Sequence, residues 1–127
     1  MDRPPFTTKA MAADVLTAWG NGRLSNEDIH LWALDNYFPA AQEMAPGEPL
    51  HTGLAIGTML SEFDCARPPF AHFNPAGWRA AIAFLDTSTA EYRANEVAFF
   101  KECFGHDLSP PTGWRLDRYK ELGIPFE

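Results

Sequence analysis

Glu27 and His30 are the two residues whose types and spacing most directly suggest chemistry. A Glu and a His three positions apart lie on one side of a helix. Carboxylate-bridged metal sites in helical bundles take two ligands from such a pair, but they need a matching pair on a second helix and further carboxylates. Glu27 is explained without a metal, because negative charge is favoured in the first turn of a helix. The sequence therefore predicts no metal site and no cofactor.

His30 needs a separate explanation, because its neighbours on a helical wheel are Leu34 and Tyr37. A histidine in an apolar sector is usually a neutral residue that is satisfied by one hydrogen bond. That structural role is the favoured interpretation. A residue lining a pocket and a metal ligand are the alternatives.

Gly53, Gly57 and Ser61 recur at intervals of four and form a stripe of small residues along a predicted helix. A glycine inside a helix costs roughly 1 kcal/mol relative to alanine, so two at this spacing require a tertiary reason. Close approach of a neighbouring helix backbone is the favoured reason. Room for a ligand or for a partner helix is the alternative.

The two cysteines and their nearest histidines suggest a second kind of site. Cys65 precedes His72 by seven residues, and Cys103 precedes His106 by three. Only the second spacing resembles that of zinc ligands, so small packed thiols are favoured over a zinc site or a cysteine nucleophile. The proline-flanked segment that carries Phe70 and His72 either covers the core or is offered to a partner.

The elements that must position these residues are helices. No segment shows sustained alternation of apolar and polar residues, whereas prolines and glycines divide the chain into blocks with helical periodicity. We expect one domain, 1–127, with an all-α fold: a compact bundle of five or six helices built from two antiparallel hairpins around a central helix. The hairpins would pair the first helix with the second and the fourth with the fifth.

Three helix starts are legible in the sequence. Ser25 with Asp28, and Ser88 with Glu91, are predicted capping boxes, and Asn74 is a predicted cap. The last helix is expected to run from Leu116 to Leu122 and to end at Gly123, a typical stop residue. The core is expected to contain six large aromatic residues: Trp19, Trp32, Trp78, Phe84, Phe99 and Phe100.

The charge balance disfavours two classes of partner. The chain has a net charge of −7 with ten Lys and Arg. Nucleic acids and anionic membranes attract basic surfaces, so neither is expected as a partner. We find no stretch of about 18 apolar residues and no signal sequence, and we expect a cytoplasmic protein with reduced thiols.

Two functions remain. The first is a non-catalytic acidic protein that binds another, basic protein as a regulator or immunity-type inhibitor, using Asp28 and Asp35 on the polar face of the second helix. The second is a small-molecule or metal-binding domain with a pocket near His30, Tyr37 and the glycine stripe. An enzyme is less expected, because no recognisable catalytic set is present. The oligomeric state is not indicated.

Overall fold

All regular structure in the described part of the chain is helical. The computed structural model describes residues 7–36, 49–65 and 72–125. The α-helices of these ranges are α1 (Lys9–Gly20), α2 (Asn26–Asn36), α3 (Leu50–Asp64), α4 (Trp78–Leu85), α5 (Tyr92–Phe104) and α6 (Gly113–Leu122). A 3-10 turn at Pro75–Gly77 leads directly into α4. The predicted all-α class is confirmed.

The start of α2 is fixed by residues that lie next to each other in the sequence. The Ser25 hydroxyl accepts a hydrogen bond from the backbone N–H of Asp28 at 3.1 Å, and the Asp28 carboxylate accepts one from the N–H of Ser25 at 2.9 Å. Thr8 caps α1 in the same way, accepting from the N–H of Met11. These side chains satisfy N–H groups that have no partner within the helix. The predicted capping box at Ser25 is confirmed.

Two later helices begin at positions that differ from the prediction. Ser88 and Glu91 do form hydrogen bonds with each other, but they shape a turn, and α5 begins after it at Tyr92. The last helix begins at Gly113, three residues before the predicted start. Gly113 has φ 59°, a left-handed conformation in which a glycine avoids the strain that a Cβ would cause. The chain thereby turns from a proline-rich loop into α6.

The helices pack in two groups of neighbours. Among the described helices, α5 packs along α4, which in turn packs against α1. On the other side, α2 packs mainly against α3. The first helix therefore contacts α4 more extensively than α2, its predicted hairpin partner. The predicted pairing of the fourth and fifth helices corresponds to the contact between α4 and α5.

An aromatic cluster forms the centre of the core. The Phe63 ring lies 5.4 Å from Trp19, 5.1 Å from Phe73 and 5.1 Å from Phe104, between ring centroids. The first two contacts are edge-to-face, a geometry that aromatic rings prefer. Of the six aromatics predicted for the core, four are buried: Trp19, Phe84, Phe99 and Phe100. Trp32 and Trp78 are only partly buried and pack against the edge of the core.

Candidate functional site

A cavity of about 420 Å³ opens between α3, α5, α6 and the loop that joins α5 to α6. Three helices and one loop contribute to its wall. The residues that line it are Gly53, Leu54, Gly57, Thr58, Ser61 and Glu62 from α3; Tyr92, Glu96 and Phe100 from α5; His106, Asp107, Leu108 and Ser109 from the loop; and Trp114, Arg115, Arg118 and Tyr119 from α6. The lining combines aromatic rings with buried charge.

The stripe of small residues forms the α3 wall of the cavity. Gly53, Gly57 and Ser61 follow one another at intervals of one helical turn and all line it. Their short side chains leave volume that larger residues would occupy. The stripe thus lies along the cavity, and a ligand as the reason for the two glycines stays a prediction.

Glu96 is the central charged group of the cavity wall. Its side chain is 1% exposed. Its Oε1 atom accepts a hydrogen bond from Arg115 at 3.0 Å and one from the Tyr119 hydroxyl, and the Arg93 guanidinium lies 3.5 Å away. Burial raises the pKa of Glu96, while Arg115 and Arg93 act in the opposite direction. These contacts join α5 to α6 through side chains.

Glu62 is the second carboxylate in the cavity wall, and its surroundings differ. It is half-buried near the end of α3. Burial raises the pKa of Glu62, and electrostatic interactions with His106 and Arg115 oppose that rise. Within the described ranges, no group forms a hydrogen bond or an ion pair with its carboxylate. Among the described residues, Glu62 is therefore a partly desolvated carboxylate without a direct partner.

The loop between α5 and α6 is held in place by one arginine. Arg93 donates hydrogen bonds to the carbonyl oxygens of Leu108 at 3.3 Å and Ser109 at 3.1 Å. The His106 ring lies 5.3 Å from the ring of Phe100. These contacts fix the loop backbone at the cavity, so this wall is formed before any ligand arrives.

Trp114 stands at the start of α6 and is 65% exposed. Trp114 and Phe100 both line the cavity, one on α6 and the other on α5. The cavity thus offers two aromatic side chains to an apolar group.

His30 lies away from this cavity and has a structural partner. Its Nδ1 atom is 2.8 Å from the carbonyl oxygen of Phe63, in the last turn of α3. A carbonyl only accepts, so Nδ1 carries the proton. The hydrogen bond satisfies one of the carbonyls that a helix leaves unpaired at its C-terminus. His30 is not among the residues that line the cavity at the glycine stripe.

The remaining predicted site residues are dispersed. Asp28 and Asp35 are exposed on α2. His72 is exposed beside the buried Phe73 ring, at 4.9 Å between centroids. Tyr37 and Phe70 lie outside the described residues. Of the six that the structure describes, it brings Gly53 and Gly57 to the cavity. A binding role for any of the eight predicted residues stays a prediction.

The cysteine and histidine pairs do not form a recognisable reactive site. Cys103 is buried, and its thiol donates a hydrogen bond to the carbonyl oxygen of Gly77 at 3.3 Å. Burial, with a smaller effect of Glu102, raises the pKa of Cys103 to about 12. Since the thiolate is the nucleophile, a thiol with this pKa is unreactive at neutral pH. Cys65 is exposed.

The Glu-x-x-His spacing occurs a second time, at Glu48 and His51. Glu48 lies outside the described residues. The Nε2 atom of His51 lies 3.0 Å from the carbonyl oxygen of Thr87, a contact that ties α3 to the end of α4. In the part of the chain that the structure describes, no three His, Cys, Asp or Glu side chains are grouped to hold a metal ion.

No protein-family model, no curated protein and no solved structure matches this chain. Among the described helices, none is both long enough and apolar enough to cross a membrane. The cavity and its chemistry are therefore the basis for assigning a function.

The charged residues of the cavity were missed at the level of sequence. Glu96 had a detectable signal, since it lies between Tyr92 and Phe99 on the apolar face of its helix. A carboxylate in that position is rarely buried unless it is paired. Arg115 had no such signal, because the last helix was expected to begin at Leu116, which placed Arg115 in the preceding loop.

Proposed function

We propose that this chain is a small-molecule-binding helical domain whose ligand occupies the cavity between α3, α5 and α6. The observation that carries the proposal is the cavity itself. Its volume of about 420 Å³ lies in the range of roughly 300–1,000 Å³ that is typical of ligand pockets. A mainly apolar lining with a few polar groups in fixed positions is also typical of such pockets.

The polar groups of the cavity support the proposal because the protein holds them in place. Glu96 is fixed by Arg115 and Tyr119, and Arg93 fixes the loop backbone. Groups that are already ordered lose little conformational entropy when a ligand binds. Two glycines on one helical face, costly for the helix, leave the space unfilled. These ordered polar groups and the space beside them are sufficient for a domain that binds a ligand without catalysing a reaction.

Filling the cavity tests the proposal. Gly57→Leu places a large side chain in the cavity wall, and Ala94→Leu, at an exposed position of α5, is the matched control. Thermal shift and ligand-detected NMR against a diverse fragment library should give hits that bind the wild type and the control but not Gly57→Leu. Gly57→Ala supplies a milder variant if the leucine prevents folding. A library without hits, or hits that are insensitive to both Gly57 variants, would contradict the proposal.

The exposed face of α2 supports a second candidate, a protein that binds another protein. Leu31 is 47% exposed and Leu34 is 56% exposed, and Asp28 and Asp35 lie beside them on the helix. Apolar residues rimmed by charge are typical of protein interaction sites, and the acidic rim suits a basic partner. Affinity capture from native lysate should yield a salt-sensitive partner that a Leu31→Ser, Leu34→Ser variant loses. If no captured protein is lost at high salt or with the Leu31→Ser, Leu34→Ser variant, the α2 surface has no such role.

A further inference from the structure

Some charged groups of the cavity already have a partner, whereas the carboxylates of Glu62, half-buried, and Asp107, exposed, have none among the described residues. Arg115 pairs with Glu96 at 3.0 Å, and Arg118 pairs with Glu121 at 2.5 Å. An anionic ligand would compete for these arginines with carboxylates that belong to the chain. Glu62 has no such partner among the described residues. The charge that the cavity leaves for a ligand to neutralise is therefore negative.

Aromatic rings at the cavity add a second, independent attraction for a cation. A cation over an aromatic face gains roughly 0.5–2 kcal/mol, and Trp is the strongest partner. The protein already uses this contact once in the cavity wall, where the Arg115 guanidinium lies 5.9 Å from the centre of the Tyr119 ring. Trp114 and Phe100 line the same cavity, and no Lys or Arg of the described residues lies over either ring. Their rings suit both an apolar body and a cationic head.

We propose that the cavity takes a small organic cation, an amine with an apolar body, whose ammonium group pairs with Glu62 while its body lies against Phe100 and Trp114. The inference rests on the proposed function and specifies its ligand class. Burial raises the pKa of Glu62, because the carboxylate has lost water. An ammonium group replaces that water with a charge-assisted hydrogen bond, the stronger class of hydrogen bond.

Three probes of matched size and different charge test the inference. They are 2-phenylethylamine, the neutral 2-phenylethanol and the anionic 3-phenylpropionate, each titrated into the full chain by calorimetry at neutral pH. We expect the amine to bind roughly tenfold more tightly than the alcohol, and the anion to bind most weakly. Trp114→Ala, at an exposed position that the core does not need, should weaken the amine several-fold.

The Glu62→Gln variant assigns the preference to one side chain. It keeps the shape of the residue and removes the charge, so amine and alcohol should then bind alike. Asp64→Asn removes the same charge from the same helix end outside the cavity wall and should keep the preference. Circular dichroism checks that both variants are folded.

Three results would overturn the inference: equal binding of amine and alcohol to the wild type, tighter binding of the anion, or no binding of any probe. Each can be separated from a failure of the proposed function. If library fragments still bind the wild type and are blocked by Gly57→Leu, the cavity is a ligand site for another chemical class. If they too are absent, both proposals fail.

Discussion

Carboxylates at the start of α2 and carboxylates in the cavity wall differ in where their partners come from. Asp28 is exposed and exchanges hydrogen bonds with Ser25, three residues away. Glu96 is buried and is bound by Arg115 and Tyr119, which lie 19 and 23 residues further along the chain. The first arrangement is complete within one helical turn. The second exists only after α6 has docked.

The difference between these two regions lies in what each carboxylate does for the fold. An exposed carboxylate at a helix start remains hydrated, and its removal costs only the capping interaction. A buried carboxylate has lost its water, so its partners must compensate, and removing either side leaves uncompensated charge. Removing a carboxylate therefore costs little stability in one region and a great deal in the other.

The largest effect is expected for Glu96→Ala. Removing the carboxylate leaves the guanidiniums of Arg115 and Arg93 without their anion, and breaking a partly buried pair in this way costs about 3 kcal/mol. Urea denaturation followed by circular dichroism measures the free energy of unfolding. Glu96→Gln, which keeps an oxygen acceptor for Tyr119, should lose less. A loss below that of a simple cap deletion would place Glu96 in the same class as Asp28.

Ser25→Ala is expected to have the next largest effect. The variant removes the hydroxyl that accepts from the N–H of Asp28 and should lower the free energy of unfolding by about 1 kcal/mol. Ser25→Gly is the informative control, since glycine tolerates the cap conformation and should lose only a few tenths of a kcal/mol. Equal losses for the two variants would assign the whole effect to the hydroxyl, which both lack, and no loss in either would mean that the hydroxyl contributes nothing.

Asp28→Asn gives a smaller effect in the same region. The amide can still accept from the N–H of Ser25, but the negative charge near the positive end of α2 is lost. We expect a loss of about 0.5 kcal/mol at low salt that shrinks as salt is added. Urea denaturation at two salt concentrations provides the measurement. A loss that does not depend on salt would show that the hydrogen bond, rather than the charge, is responsible.

Local interactions explain which parts of the fold could be predicted. The capping box at Ser25 and the end of α6, where the N–H of Ile124 donates to the carbonyl oxygen of Tyr119 at 2.8 Å, both involve residues close in sequence. The start of α6 could not be predicted in the same way, because no side chain caps it and the residues before it, Pro110 and Pro111, are typical of a loop. Its position depends on how Arg93 binds the loop backbone.

The candidate site was predictable only in part, for the same reason. The glycines at 53 and 57 indicated space along α3, but the sequence did not indicate which elements would surround that space. His30 was predicted to lie near that space because a helical wheel shows which side of a helix a residue occupies, but not which neighbouring element it contacts. In the structure, its ring forms a hydrogen bond with the carbonyl oxygen of Phe63. Glu62 and Arg115 belong to segments that are distant in the sequence, and the periodicity of apolar residues within one helix cannot predict that they lie near each other.

Glu62→Gln is expected to have the smallest effect and the opposite sign. Since burial raises the pKa of Glu62 in the folded state above its ordinary value of 4.5, the unfolded chain releases this proton first as the pH rises. Ionisation therefore lowers stability as the pH passes through the raised pKa, and this loss is absent below the unfolded value. At pH 7, the neutral glutamine should raise Tm by an amount on the order of 1 °C.

The pH dependence of that gain distinguishes the two regions most sharply. It should vanish once the pH falls below about 4.5, where both forms of residue 62 are uncharged. Glu27→Gln, at the exposed start of α2, is the control and should give no gain at pH 7, because its charge is hydrated and favoured by the helix dipole. Differential scanning calorimetry at several pH values measures both variants. If Glu62→Gln lowered Tm at pH 7, the Glu62 charge would be stabilising the fold, and Glu62 would not be the unpaired carboxylate that a cationic ligand needs.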